Sequence, residues 1–157
     1  MVPARQYGAP EQVDAKRLGD YLEVMTKAVF QSGMSWAVVN AKWPGFQEAF
    51  DGFDPERIAE YTPDDIDRLA ADTRIIRNVR KIEATVRNAQ TMCELQAEHG
   101  GDFRAYLQSH GDFESTVKDL RKRFSFLGDF GAYYFLYVVK EPVPDYHDFR
   151  HSRGQKP

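Results

Sequence analysis

Cysteine is nearly absent from this 157-residue chain, which has only Cys93, together with four histidines. A single cysteine cannot form an intrachain disulfide, which fits a reducing compartment. One cysteine and four histidines also give no structural zinc pattern. We therefore expect neither a disulfide framework nor a bound metal or other cofactor.

Long apolar runs are missing as well. No stretch approaches the roughly 20 apolar residues that a membrane-spanning helix needs. The first five residues, MVPAR, lack the apolar core of a signal peptide. These absences predict a bacterial-type cytoplasmic protein with no membrane partner.

Basic residues are not in excess, because 21 lysines and arginines face 24 acids and leave a net charge of −3. A dedicated nucleic-acid binder is usually basic, so the total counts against DNA binding without excluding a local basic patch. The length suits one domain, here residues 1–157, and 42% hydrophobic and 13% aromatic residues are enough for a core.

Apolar residues recur at helical spacing in most of the chain. The stripe formed by Leu18, Leu22, Met25 and Val29 predicts a helix over about 15–32. A second helix should begin after an N-cap at Ser35, with Val38, Val39, Phe46 and Phe50 facing inward, and Pro44-Gly45 should bend or break it.

The later segments are also predicted to be helical, which makes the fold class all-α. Asp54-Pro55 and Thr62-Pro63 both combine a capping side chain with proline at the first helical position. Further helices are expected at about 55–60, 63–71, 78–98, 102–109, 113–123 and 131–139. The tail after Arg150 is expected to be frayed.

A series of collinear motifs covers about residues 7–90. They are Tyr7-Gly8-Ala9-Pro10, Gln31-Ser32-Gly33-Met34-Ser35-Trp36, Phe53-Asp54-Pro55, Asp64-Asp65-Ile66-Asp67-Arg68-Leu69, Ile75-Ile76-Arg77-Asn78 with Lys81-Ile82, and Asn88-Ala89. In this order and spacing they resemble the DNA-3-methyladenine glycosylase I family of helix-hairpin-helix glycosylases. The resemblance implies excision of alkylated purines such as 3-methyladenine from double-stranded DNA by base flipping.

The same resemblance implies a base-binding pocket formed by Trp36, Gln31, Phe30 and Tyr7. Trp36 could instead be a core anchor, and Gln31 a polar residue at a helix end. The family places a pocket glutamate seven residues before Ser35, where this chain has Ala28. Glu23 lies on the same helix but, five residues away, is expected to face elsewhere. The cysteines and histidines that help to bind zinc in the family have no counterpart here.

A segment near the C-terminus resembles the hairpin of the wider superfamily, within a helix-hairpin-helix motif at about 113–140. Its glycines and the following helix N-terminus can hold a DNA phosphate. The candidate DNA-binding residues are Leu127, Gly128, Phe130, Gly131, Lys122 and Arg123. Asp129 brings a negative charge to this place, which Arg121 and its two basic neighbours could offset. Those three basic residues could equally be a solvated helix face.

The segment Pro144 to Arg150 resembles the part of the superfamily that carries a catalytic aspartate, which would be Asp145 here. Such a carboxylate can stabilise the oxocarbenium-like sugar or orient water. A loop carboxylate after Pro144 is the alternative. The sequence thus predicts a monomeric repair glycosylase, with a catalytically inactive DNA-binding homologue or a nucleobase-binding homologue as alternatives.

Overall fold

The computed structural model describes residues 9–154. Within that range all of the regular secondary structure is helical. Nine α-helices and one 3-10 helix follow one another along the chain: α1 Leu18–Gln31, α2 Trp36–Ala49, the 3-10 helix Asp51–Phe53, α3 Pro55–Ala59, α4 Pro63–Ala70, α5 Val79–Glu98, α6 Phe103–Gln108, α7 Phe113–Arg123, α8 Asp129–Val138 and α9 Tyr146–Ser152. The all-α prediction is confirmed. Among the described helices, none combines the length and hydropathy that crossing a membrane requires.

Helix α5 is central to the packing. It lies against α1, α3, α4 and α6, while α1 also contacts α2 and α8. One hydrophobic cluster joins these helices and extends from Tyr21 to Val139. Local sequence signals define the helix starts, because Asp54, Thr62 and Asn78 each cap the following helix with a side-chain oxygen.

Helix α2 differs from its prediction in two ways. It continues through Pro44 without a break. Gly45 allows a close approach there, because a Cβ atom at this position would lie 2.4 Å from the carbonyl oxygen of Arg74. Val38 is 43% exposed and faces outward, whereas Val39 is fully buried.

The C-terminal segment is ordered helix as far as Ser152, so the expectation of a frayed tail after Arg150 is wrong for the described residues. Phe149 is buried and packs against the rings of Phe113, Phe130 and Tyr133. The polar composition of the residues after Arg150 gave no sign of the Arg153 ion pairs described below.

Candidate functional site

The end of α1 and the start of α2 form a tight connection at one end of the molecule. Gly33 turns the chain with a φ of +73°, a left-handed conformation that favours glycine. The Ser35 hydroxyl then accepts a hydrogen bond from the Val38 amide at 3.4 Å and caps α2. This arrangement sets Gln31 in the last turn of α1 and Trp36 in the first turn of α2.

Lys81 of α5 holds this connection in place through hydrogen bonds. Its side chain is buried, and its Nζ donates to the carbonyl oxygens of Ser32 at 2.6 Å and Phe30 at 3.3 Å. Burial lowers the pKa of Lys81. The lysine of the 75–82 motif therefore satisfies carbonyls that the end of α1 would leave without donors.

Two clefts open beside this connection. The first, which we call the Glu23 cleft, has a volume of about 610 Å³, and its lining includes Glu23, Lys27, Asn40 and Trp43. The second, the hairpin cleft, has a volume of about 370 Å³, and its lining includes Ala28, Gly33, Phe126, Gly128, Phe130 and Gly131. Gln31, Trp36 and Tyr134 line both clefts, so the two are neighbouring compartments with a common wall.

Gln31 is an unusual member of that wall. It is only 5% exposed, and its Oε1 has no hydrogen-bond partner. Burial raises the pKa of Tyr134, and the amide group of the neighbouring Gln31 opposes part of that rise. A buried acceptor without a donor costs free energy, so a ligand that supplies an N–H or O–H group would relieve that cost.

The four predicted pocket residues have different positions. Trp36 is 47% exposed, with its ring centroid 5.3 Å from that of Tyr134 in an edge-to-face arrangement, so it is not a core anchor. Phe30 is fully buried against Phe46 and lines neither cleft, so its assignment to the pocket is wrong. Its position directly before Gln31 turns it to another side of α1. Tyr7 lies outside the described residues.

Glu23 was expected to face away from the pocket, and this expectation is wrong. Its side chain lines the cleft that Gln31 and Trp36 also line. Its Oε2 accepts hydrogen bonds from Trp43 Nε1 and Gln47 Nε2, both at 2.8 Å. The aromatic partner is on α2, so spacing within α1 alone could not reveal this contact.

The connection between α7 and α8 contains the segment for which the hairpin is predicted, and α5 supports it. Asn88 donates to the carbonyl oxygen of Ser125 at 3.1 Å and accepts from its amide at 2.8 Å. The guanidinium of Arg80 lies 5.7 Å from the ring centroid of Phe126, which has a positive φ of 59° and is 39% exposed. Helix α5 thus holds both the end of α1 and the hairpin.

The candidate DNA-binding residues of the hairpin are only partly exposed. Leu127 is buried, and a Cβ atom at Gly131 would lie 3.1 Å from its Cδ1. Phe130 packs on Phe149 of α9. Gly128 is exposed at the N-cap of α8. Leu127 therefore supports the hairpin from inside, whereas Phe130 is half-buried and also lines the hairpin cleft, and their contact with DNA stays a prediction.

Asp129 is neutralised by two arginines. Arg121 contacts its Oδ1 and Arg153 its Oδ2, both at 2.9 Å, and Arg153 also pairs with Glu114. The offset predicted for Arg121 is thus present, with Arg153 as an unpredicted second partner.

The other two basic residues of α7 differ from each other. Arg123 pairs with Asp119 at 2.9 Å, whereas Lys122 is exposed. Lys122 also lines an open groove of about 860 Å³ beside the hairpin. Four basic and two acidic side chains line this groove: Lys118, Arg121, Lys122, Arg153, Glu114 and Asp129. The groove is therefore locally basic on a chain whose net charge is −3.

Asp145 lies at the N-terminus of α9. Its Oδ1 accepts a hydrogen bond from the Asp148 amide at 3.2 Å and so caps the helix. It does not belong to the lining of either cleft. The neighbouring Pro144 carbonyl accepts a hydrogen bond from the Tyr133 hydroxyl at 2.6 Å, which fixes the loop. Within residues 9–154 there is no group of three His, Cys, Asp or Glu side chains that could hold a metal ion.

Known proteins resemble this chain in sequence. A model of the methyladenine glycosylase family matches residues 5–130. The DNA-3-methyladenine glycosylase of Haemophilus influenzae is 34% identical over 119 residues, which cover 74% of this chain and 62% of that protein. DNA-3-methyladenine glycosylase 1 of Escherichia coli is 35% identical over 97 residues, covering 62% and 49%. The chain thus spans about half to three fifths of the length of these curated relatives.

Solved structures resemble it in fold. A crystal structure of 3-methyladenine DNA glycosylase I superposes with a TM-score of 0.71 at 27% identity, covering 81% of both chains. The 3-methyladenine DNA glycosylase I of Staphylococcus aureus superposes with a TM-score of 0.73 at 23% identity, covering 86% of this chain and 88% of that one.

Proposed function

Because the chain belongs to the methyladenine glycosylase family, we propose that it is a DNA N-glycosylase of base excision repair. It would release alkylated purines such as 3-methyladenine from double-stranded DNA and act as a monomer in the cytoplasm. The observation that carries this proposal is the buried, unpaired Oε1 of Gln31 beside the exposed ring of Trp36. A flipped base can stack on such a ring and donate an N–H group to such an oxygen.

The reaction is the hydrolysis of an N-glycosidic bond. A purine alkylated on a ring nitrogen carries a positive charge. When the bond to C1′ breaks, the base keeps the electron pair and leaves as a neutral molecule. Water adds to C1′ and loses a proton. Such bases leave readily and need little catalytic help, so the site mainly has to extrude and hold the base. Asp145, which caps α9, is not required for this step, and its catalytic role stays a prediction.

DNA would lie along the hairpin and the adjoining basic groove. Lys118 and Lys122 line that groove, and Arg80 borders the exposed ring of Phe126. The hairpin cleft opens between Gly33 on one side and Gly128 on the other, so a base extruded from a clasped duplex would enter there. Binding of this kind should weaken strongly with salt, because phosphate contacts release counterions.

The test is the release of free base from methylated duplex DNA, measured by chromatography, for the wild type and Trp36→Ala. We expect release by the wild type and a loss of about 5- to 150-fold in the variant, since base–aromatic stacking contributes roughly 1–3 kcal/mol. Tyr146→Ala is the matched control, because Tyr146 is 50% exposed and lines neither cleft. A wild type that releases no base and does not bind an abasic-site duplex at low salt would contradict the proposal. Binding of free adenine derivatives would then indicate a nucleobase-binding homologue.

A further inference from the structure

Two arginines on α5 lie beside the hairpin and are not paired with an acid. Most arginines within residues 9–154 form ion pairs with a carboxylate. Arg80 and Arg87 are exposed and form none with the described residues, although Glu83 lies between them on the same helix. On a chain whose net charge is −3, two such guanidinium groups on one helix are available to an anionic partner.

Both arginines border the same part of the hairpin. The guanidinium of Arg80 lies 5.7 Å from the ring centroid of Phe126, and Arg87 Nε donates to the Ser125 hydroxyl at 3.2 Å. Because the two arginines are seven residues apart, they lie on one face of α5, roughly 10 Å apart along its axis. A DNA strand carries one phosphate per about 3.4 Å of helix axis, so this spacing suits phosphates about three positions apart.

The ring of Phe126 is a second, independent feature of this surface. It is 39% exposed, and its backbone has a φ of 59°, a conformation that residues other than glycine rarely adopt. Two hydrogen bonds between Asn88 and the backbone of Ser125 hold the neighbouring residue in place. An exposed aromatic side chain on a strained backbone is typical of a place where a ligand binds.

The α5 arginines are separate from the basic groove beside the hairpin. Phe126 lines that groove, but Arg80 and Arg87 do not. Two of the four basic side chains of the groove, both arginines, are paired with Asp129. The arginines of α5 therefore add as many positive charges without an acidic partner as the groove itself provides.

We propose that Arg80, Arg87 and Phe126 form a second DNA-contact surface, the α5 strip, in which the guanidinium groups bind backbone phosphates and the ring packs against the same strand. This inference rests on the proposed function, because it extends the contact with the proposed DNA partner. The planar guanidinium group can donate two parallel hydrogen bonds to a phosphate. An acidic protein would use the arginines but not the ring, so the combination favours a nucleic acid.

Binding of an undamaged duplex, measured by fluorescence anisotropy over a range of salt concentrations, tests the α5 strip without catalysis. For the double variant Arg80→Gln/Arg87→Gln, the log–log slope should be shallower by about two units, because each lost phosphate contact removes about 0.9. The ratio of the variant Kd to the wild-type Kd should therefore fall by about tenfold between about 50 and 200 mM salt.

The matched control is Arg17→Gln/Arg57→Gln, which removes the same charge from two exposed arginines that are paired with Asp20 and Asp51. It should keep the wild-type slope. Arg80→Lys/Arg87→Lys keeps both charges and should restore the slope that the glutamine variant loses.

Phe126→Ala separates the ring from the charges. Binding should weaken by about 5- to 150-fold at every salt concentration, because stacking on the ring is lost. The slope should stay that of the wild type, since the ring carries no charge. A shallower slope in Phe126→Ala, with unchanged affinity at high salt, would overturn the assignment of stacking to this ring.

The outcomes for the α5 strip and for the glycosylase function can be told apart. An unchanged slope in the glutamine variant, or an equal change in the matched control, would overturn the strip. A fall in the melting temperature of the glutamine variant that accounts for its loss of binding would also overturn it, since the arginines would then be structural. If the slope changes as expected but the wild type releases no base from methylated duplex, only the glycosylase function is contradicted.

Discussion

The end of α1 and the hairpin between α7 and α8 both line the hairpin cleft, but their polar groups are arranged differently. At the end of α1, Gln31 Oε1 is buried without a partner. At the hairpin, Asp129 has both oxygens paired with arginines. Asp119 behind it accepts from three side chains, those of Tyr106, His110 and Arg123.

This difference distinguishes residues that can bind a ligand from residues that stabilise the fold. A buried acceptor without a donor destabilises the free protein, so it is expected where a ligand will supply the donor. A fully paired carboxylate has little left to offer a ligand and instead holds its elements together. For Asp119, burial alone would raise the pKa, but the hydrogen bonds from its three partners lower it below its usual value. Its stabilising effect should therefore be present above the unfolded pKa and be lost as the pH falls through the folded pKa.

Lys81→Met removes the two hydrogen bonds that hold the end of α1 in place. This change keeps an unbranched apolar side chain, one atom shorter, but leaves the carbonyl oxygens of Phe30 and Ser32 without their donor. We expect the free energy of unfolding to fall by about 2 kcal/mol. Base release should fall more than about tenfold, because Gln31 and Trp36 lose their positions.

Denaturant titration and base-release assays measure both effects. Lys16→Met is the matched control, since Lys16 is exposed before α1, lines neither the clefts nor the basic groove, and its loss should change stability by less than about 0.5 kcal/mol. A Lys81→Met protein as stable and as active as the wild type would mean that α1 does not need this support.

Gln31→Met tests whether the end of α1 binds the base, because it removes the unpaired oxygen and nearly keeps the side-chain volume. Stability should stay the same or rise, because a buried polar group without a partner is lost. Base release should fall by about tenfold, because the base loses its acceptor. A fall in base release without a fall in stability is what we expect for a residue that binds the ligand.

Thermal unfolding and base release would be compared with Gln96→Met, a half-buried glutamine on α5 that lines neither cleft. A large loss of stability in Gln31→Met would instead mean that Gln31 is a structural residue, with its oxygen paired in solution.

Much of this arrangement could be predicted from the sequence, because its causes are local. Helix caps such as Ser35 and Thr62 depend on residues three positions away, and the structure confirms both. Trp36 and Gln31 were placed at one site from their motif, and they do share a wall of both clefts.

What could not be predicted depends on contacts between distant segments. Glu23 and Gln31 are eight residues apart on α1, which puts them roughly 80° apart around the helix. Only the position of α2 decides that one cleft includes both. Arg153 reaches Asp129 across 24 residues, from a tail whose polar composition resembles a frayed end. The resemblance implies Phe30 as a pocket residue, although α1 turns this side chain into the core.

Asp129→Asn removes the negative charge that pairs with two arginines at the hairpin. Arg121 and Arg153 would lose their partner at the N-terminus of α8 and could contact DNA phosphates instead. We expect tighter binding to undamaged duplex, with a salt dependence steeper by about one unit in log–log slope. Stability should fall by about 1 kcal/mol, since these pairs are partly exposed.

Fluorescence anisotropy over a range of salt concentrations would measure the slope. Asp112→Asn is the control, because Asp112 only caps α7 with its side chain and asparagine caps equally well. An unchanged slope would mean that the two arginines remain out of reach of the duplex.

We expect the smallest effect at Asp145, where the two roles to be distinguished are capping of α9 and catalysis. Asparagine is as good an N-cap as aspartate, so Asp145→Asn should preserve α9 while removing the negative charge. Asp145→Ala removes the cap as well and should cost about 1 kcal/mol of stability. If Asp145 is only a cap, base release by Asp145→Asn should equal that of the wild type, because the residue lines neither cleft and alkylated purines leave without a carboxylate. A large loss of release in Asp145→Asn, with its thermal stability unchanged, would instead assign the charge a catalytic role and place chemistry on the hairpin side of the pocket.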